Sequence, residues 1–353
     1  MSSERAPAFA LDCPLPLGAD DRILLGHGSG GKMTAELIAR CFLPAFRNEY
    51  LEKLDDHALV CVDGVRLAFS TDAYVVTPLF FPGGDIGTLA VNGTVNDLAT
   101  AGARPLYLSA AFILEEGFSR TDLERIAASM RKAAEGAGIL LVAGDTKVVD
   151  RGKADGCFIT TTGLGIVEHQ LTMSADRARP GDLVILSGAI AEHGIAVMAA
   201  RADLELETTV ASDTAALHRL ALDMLATGAE VRCLRDPTRG GVATALNEIA
   251  QRSKVGILLE EAAIVVHEPV RGVCELLGLD PLYVANEGKF LAIVARADAP
   301  RVLEAMHRHP EGRTASVVGE VVEDTAHLVV LKTTVGGRRI VDMLMGDQLP
   351  RIC

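Results

Sequence analysis

Ser174-Ala-Asp-Arg-Ala-Arg-Pro-Gly-Asp182 divides the chain. The stretch is charged, and its Pro-Gly pair punctuates local structure. Beyond it a strand-then-helix pattern begins again at Leu183–Ser187. Towards the N-terminus, Ala58–Val62 and Val65–Ser70 are apolar, β-rich runs joined by Asp63-Gly64, which predicts a hairpin. Ile86–Gly102 carries Ala, Leu and Val at helical spacing, and Pro105–Leu114 reads as a buried strand. Thr121–Ala137 reads as a helix, opened by a Thr121-x-x-Glu124 capping box and stopped by Gly136 and Gly138. Ile139–Ala143 is a short strand running into Gly144-Asp145, and Cys157–Val167 is a Thr-rich strand. Towards the C-terminus, helices are expected at His193–Arg201, Thr214–Thr227 and Gly240–Arg252. Strands are expected at Lys289–Ala295, Thr314–Val322 and His327–Lys332. The prediction is two α/β (α+β) halves of similar size without a short-period repeat. Residues 1–40 form an N-terminal segment with a Gly-rich loop, 41–173 a first domain, 174–335 a second, and 336–353 a mobile tail with one apolar patch, Ile340–Met345.

Composition bounds the function. The 353 residues are 49% hydrophobic, enough for a large core. No run approaches the ~20 apolar residues of a membrane helix. Met1–Asp21 lacks the apolar stretch of a secretory signal. A net charge of −13 argues against binding phosphate backbones, and the absence of Trp with only 4% aromatics leaves few stacking platforms for bases. The seven Cys form no C-x-x-C pair, so a reduced cytoplasmic protein is expected.

Five motifs carry chemistry. Gly26-His-Gly-Ser-Gly-Gly-Lys32-Met33 nearly matches a P-loop, but Met33 stands where the magnesium-binding hydroxyl belongs. Its glycines and Lys32 could cover a polyphosphate, or could form a flexible linker. Acids lie in glycine-flanked strings: Asp72, Asp85, Asp97, Asp145 and Asp236. Each alone reads as a turn or cap residue, whereas the set fits Mg²⁺ and a nucleotide. Asp145-Thr146-Lys147 places a cation beside an acid at a strand end. Glu287, in Asn286-Glu-Gly-Lys289, could be a general base if desolvated, or a turn residue ahead of Gly288. Cys353 ends the sequence in Pro350-Arg-Ile-Cys353, where a thiolate on a tail could attack activated carbonyls.

Seven strings together resemble the HypE family of hydrogenase maturation factors, the carbamoyl dehydratases of [NiFe]-hydrogenase assembly. They are HGSGGKM (27–33 with Gly26 before it), STDAYVVTPLFFPGGD (70–85), VNGTVNDLATAGARP (91–105), VAGDTKVV (142–149), RDPTRGGVATALNEIA (235–250), NEGKF (286–290) and the terminal PRIC. The wider likeness is to aminoimidazole ribonucleotide synthetase, selenophosphate synthetase and thiamine-monophosphate kinase. The resemblance implies a two-domain PurM-like fold, a homodimer, and ATP with Mg²⁺ between the domains. It implies metal-side acids at Asp72, Asp97 and Asp236. Nucleotide contacts would come from Lys32, Asp85, Asn96, Asp145 and Thr146, with Cys353, Glu287 and Lys147 as catalytic groups. The loop has no Cys, which argues against selenophosphate synthesis.

The chemistry implied starts with Cys353 carbamoylated by a HypF-type carbamoyltransferase. ATP then phosphorylates the thiocarbamate oxygen, Glu287 takes a nitrogen proton, and phosphate leaves a protein thiocyanate. The cyano group would pass to iron on a HypC–HypD scaffold, with no nucleic acid or membrane involved. The alternatives are another ATP-dependent small-molecule kinase or synthetase of the superfamily, a non-catalytic nucleotide-binding carrier, and a P-loop NTPase, which Met33 disfavours.

Overall fold

The computed structural model describes residues 22–201 and 208–346. The first helix, α1 (Lys32–Leu37), widens at Ile38–Phe42 and continues into α2 (Leu43–Phe46). β1 (Ala58–Val62) and β2 (Val65–Tyr74) form the expected hairpin. Asp63 (φ 50°) and Gly64 (φ 83°) both adopt the left-handed conformation that such a two-residue turn requires. After β3 (Phe80–Phe81) and β4 (Gly84–Asp85) come α3 (Ile86–Thr100), β5 (Arg104–Glu115), α4 (Arg120–Ala137), β6 (Leu140–Val149) and β7 (Cys157–Ile166). The strands order as β1-β2-β7-β5-β6, and β5–β6 is the parallel pair.

Three details depart from the sequence reading. β2 runs past the expected Ser70 and pairs with β7 as far as Tyr74, so Asp72 lies within the strand. β6 pairs with β5 to Val149, so Asp145-Thr146-Lys147 is mid-strand. The cap of α4 is Ser119, whose hydroxyl accepts from the Asp122 N–H; Gly136 stays helical and Gly138 (φ 69°) ends the helix.

The second half contains β8 (Leu183–Leu186), α5 (Glu192–Ala199), α6 (His218–Ala226), β9 (Val231–Arg235), α7 (Gly241–Ser253), β10 (Gly256–Glu260) and α8 (Glu268–Leu277). It closes with β11 (Leu291–Val294), α9 (Ala299–His307), β12 (Ser316–Val322), β13 (Val329–Lys332) and β14 (Arg338–Ile340). Its sheet runs β14-β13-β10-β12-β8-β11-β9, with β10–β13 parallel. Residues 336–346, expected in a mobile tail, instead supply an edge strand. The physical reason is burial: Val341 is fully enclosed, in one apolar cluster with Val242, Leu246, Val329 and Leu331, and Met343 is nearly so.

α3 joins the halves. Its one charged residue is Asp97, and nearly every other side chain is small or apolar and buried, as in a helix enclosed on all sides. It packs on β2 and β7 on one side and on α6 and β9 on the other.

Candidate active site

Four elements bring acids to the junction of the domains. β2 contributes Asp72, the last turn of α3 contributes Asp97, and the turn after β9 contributes Asp236. The loop ahead of β11 contributes Glu287, which is 3% exposed. Asp97 Oδ2 accepts from Ser70 Oγ at 2.5 Å, and the same hydroxyl bonds the Asp56 carbonyl at 3.0 Å.

Each carboxyl opposes the ionisation of its neighbours. Burial, then Asp236, Asp72 and Asp56, push the Asp97 pKa well above the carboxylate range. Burial raises Asp236 to about 6, with Asp72 adding to it and Arg235 working against it. Glu287 is raised well above its ordinary value by burial, then by Asp236, Asp72 and Asp213. Asp56 is raised by burial although Arg235 pulls it down; Arg235 Nε lies 3.1 Å from its Oδ2 and also pairs with Glu248. Arg239 stands 3.9 Å from Asp72.

A pocket of about 850 Å³ opens beside this cluster. Asp56, Ser70, Thr71 and Asp236 are in its polar wall together with Arg235, Arg239 and Arg252, and Ile38, Phe42, Phe69 and Met343 are among its apolar wall. Among the described residues no three His, Cys, Asp or Glu side chains converge closely enough to hold a metal as they stand. The oxygen donors near the pocket are nonetheless carboxylates and hydroxyls, which suit a hard cation such as Mg²⁺. A divalent cation would also offset the repulsion that adds to burial in raising Asp97, Asp236 and Glu287.

The other sequence candidates lie elsewhere. Asp85 caps the far end of α3, accepting from Thr88 N at 2.8 Å and Ser129 Oγ at 2.6 Å. Twelve residues of helix, ~18 Å, separate it from Asp97. The Asn96 amide is engaged at both ends: Nδ2 donates to the carbonyls of Ala215 (3.0 Å) and Glu287 (3.2 Å), and Oδ1 accepts from Leu217 N (2.8 Å). It is a strut between the domains, not a wall of the pocket. The register steps from Asp72 to Thr161, Ala110 and Gly144, so Asp145 is three strands away, ~14 Å. There Lys147 Nζ bonds the Asp145 carboxylate at 2.9 and 3.0 Å; that bond, then the Thr146 N–H, lowers the Asp145 pKa.

Lys32 contacts the C-terminal segment. Its Nζ lies 2.7 Å from Asp342 Oδ2, and its N–H donates to Leu344 O at 2.8 Å. Ser29 Oγ donates to Gly346 O at 2.9 Å. A Cβ on Gly31 would sit 2.2 Å from the Leu344 oxygen, so glycine is needed there for close packing. The Gly-rich loop therefore clasps residues 342–346 against the pocket, where Met343 lines the wall. Cys353 lies outside the described residues.

Sequence reasoning missed Asp56, Arg235, Arg239, Asp213 and Lys289. The available signal was adjacency: Asp55-Asp56-His57 precedes the first hairpin, and Arg235 and Arg239 flank Asp236.

Residues 54–167 match the N-terminal domain of AIR synthase related proteins, and 179–332 match their C-terminal domain. A carbamoyl dehydratase HypE from Cupriavidus necator is 57% identical over 333 residues, covering 94% of this chain and 95% of that protein. A crystal structure of a HypE–HypF complex superposes with a TM-score of 0.83 at 47% identity, over 87% of this chain and 99% of that one. HypE crystallised with ATP gives 0.79 at 47% identity, over 94% and 100%. With both domains matched in order and relatives this similar over nearly its whole length, the chain belongs to the AIR synthase related family and, within it, to the carbamoyl dehydratase HypE group of hydrogenase maturation factors.

Proposed function

We propose that the protein dehydrates a carbamoyl group carried on Cys353 to a thiocyanate, driven by ATP, and so supplies cyanide for the iron of [NiFe]-hydrogenase. The observation that carries this reading is the desolvated carboxylate cluster beside a pocket along whose wall the C-terminal segment is clasped. A thiocarbamate oxygen is a poor leaving group. Attack of that oxygen on the γ-phosphorus forms an O–P bond, breaks the bond to ADP, and turns the oxygen into part of a phosphate. Loss of the nitrogen protons and cleavage of the C–O bond then leave S–C≡N. One proton departs with the phosphate and the other reaches solvent.

Glu287 suits the proton transfer. Its raised pKa makes its carboxylate a stronger base than an exposed one, and its burial excludes water. Asp72, Asp97 and Asp236 would hold Mg²⁺, which when bound would offset the charge of the polyphosphate. Arg239 lies next to Asp72 and can approach the same phosphates.

Asp145, Thr146 and Lys147 fit this scheme through a second copy of the chain. β6 is an edge strand with Leu140, Leu141, Val142 and Val148 exposed by 53% or more, an apolar edge that calls for a cover. In a homodimer joined there, the Asp145–Lys147 stretch of one copy would be offered to the acids of its partner. A HypF-type transferase would load Cys353, and a HypC–HypD scaffold would take the cyano group, in the cytoplasm. No helix among the described residues is long and apolar enough to cross a membrane.

The test is the mass of the C-terminal peptide after incubation with the transferase, carbamoyl phosphate and Mg-ATP. A carbamoyl adduct on Cys353 that loses one water only when ATP is added is the expected result. An unmodified Cys353 beside an active transferase refutes the reading. ATP turnover on a free metabolite by Cys353→Ser would instead identify a small-molecule kinase.

A further inference from the structure

We infer that Asp213, held by Lys289, is a positioning residue that fixes Glu287 for proton transfer. The inference rests on the reading of Glu287 as the proton acceptor. Asp213 Oδ1 accepts from the Glu287 N–H at 3.0 Å, and Oδ2 from the Gly288 N–H at 3.3 Å. One carboxylate thus grips both amides of the turn that presents the base. The Glu287 carbonyl is held in turn by Asn96 Nδ2 at 3.2 Å and by Ala215 N at 3.4 Å. A Cβ on Gly288 would lie 1.8 Å from the Asp213 carbonyl oxygen, so the turn and residue 213 are in direct contact.

Lys289 fixes Asp213. Its Nζ is 3.1 Å from Asp213 Oδ2 and 3.4 Å from Glu192 Oε2, and the side chains of Lys289 and Asp213 are 9% and 2% exposed. Burial alone would lower the Lys289 pKa, but Asp213 and Glu192 carry it above its ordinary value. A buried ion pair contributes little net stability over an apolar replacement, while removing one partner is strongly unfavourable. Its value here lies in geometry: the pair locks the carboxylate that locks the turn. The strand of chain bearing Asp213 is itself anchored, since Ser212 N donates to Pro82 O at 2.8 Å and Ser212 Oγ bonds His193 Nδ1 at 2.8 Å. A displacement of about 1 Å in such a group can lower a rate by roughly 100-fold.

The experiment uses full-length protein carbamoylated on Cys353. Single-turnover dehydration is followed against ATP concentration for wild type, Asp213→Asn and Glu287→Gln. Asparagine keeps one acceptor but turns an amide donor towards the Gly288 N–H and loses the Lys289 pair. The expected result is a fall in the maximal rate of about 100-fold, with half-saturating ATP and Cys353 carbamoylation unchanged. Wild-type rates in Asp213→Asn, alongside an inactive Glu287→Gln, overturn the positioning role alone. An active Glu287→Gln overturns the base assignment instead. Amide hydrogen exchange on the wild-type protein tests the grip without any variant, and keeps it falsifiable if Asp213→Asn does not fold. The amides of Glu287 and Gly288 should exchange as slowly as the β11 core, and rapid exchange refutes the clamp.

Discussion

Replacing Asp236 by Asn should stabilise the nucleotide-free protein, and only above acidic pH. Asp236 titrates near 6 in the folded chain, against an ordinary value of 3.8, because burial and Asp72 outweigh the help from Arg235. The folded state therefore holds a proton that the unfolded chain has already released. Stability contributed by that proton is complete below the ordinary value and is lost as pH rises through the folded one. The two-unit difference corresponds to about 3 kcal/mol at 1.36 kcal/mol per unit. Asp236 also lines the open pocket, and solvent there screens the effect to about 1–2 kcal/mol. Asn cannot ionise, so the variant should match wild type near pH ~4 and exceed it by that amount near pH ~8. The assay is equilibrium urea denaturation followed by circular dichroism, with chelator present at both pH values. Adding Mg²⁺ at the higher pH should stabilise wild type more than the variant. Equal destabilisation of Asp236→Asn at both pH values would refute the reasoning, because it would mean that the carboxylate is satisfied by its neighbours and not opposed by them.

Gly31→Ala should open the clasp on the C-terminal segment, since the new methyl group would collide with the Leu344 carbonyl. Faster tryptic cleavage after Arg338 and Arg339 and slower dehydration, with nucleotide affinity retained, are expected; unchanged proteolysis would count against the clasp. Leu141→Asp, on the exposed β6 edge proposed as the homodimer seam, should leave a monomer in sedimentation velocity and lower activity with it. A dimer of undiminished stability in that variant would place the interface elsewhere.

The positions of Asp72, Asp97 and Asp236 could be marked from sequence because each sits in a distinctive string beside a glycine or a strand, and the fold gathers all three at one junction. Asn96 and Asp97 are neighbours in sequence but turn about 100° apart on α3. One faces the second domain and the other the acids, and no local pattern separates those fates. Asp145 was legible as a special acid, yet its distance from Asp72 depends on strand order, which the sequence does not display. Arg235 escaped notice because its partners Asp56 and Glu248 are remote in the chain. The segment from Gly336 looked like a tail because its glycines hide a three-residue strand whose ladder partner, β13, is what makes it regular. The pocket wall was invisible for a similar reason: Ile38 and Phe42 line it together with Arg239 and Met343, residues about 200 and 300 positions further along the chain.

The Asn96 strut sets a limit on how the protein can breathe. With its amide bonded to Ala215, Leu217 and Glu287, the two halves cannot swing apart without baring three buried polar groups at once. A hinge that opens like a clamshell is thereby disfavoured, and traffic into the pocket falls to the short pieces of chain at its rim, the Gly-rich loop and residues 342–346. Segments of that size rearrange in roughly nanoseconds to microseconds, whereas domains take microseconds to milliseconds. Exchange of ligand through that rim can then proceed on the faster clock while the carboxylates keep their places, so the centre need not be rebuilt between rounds.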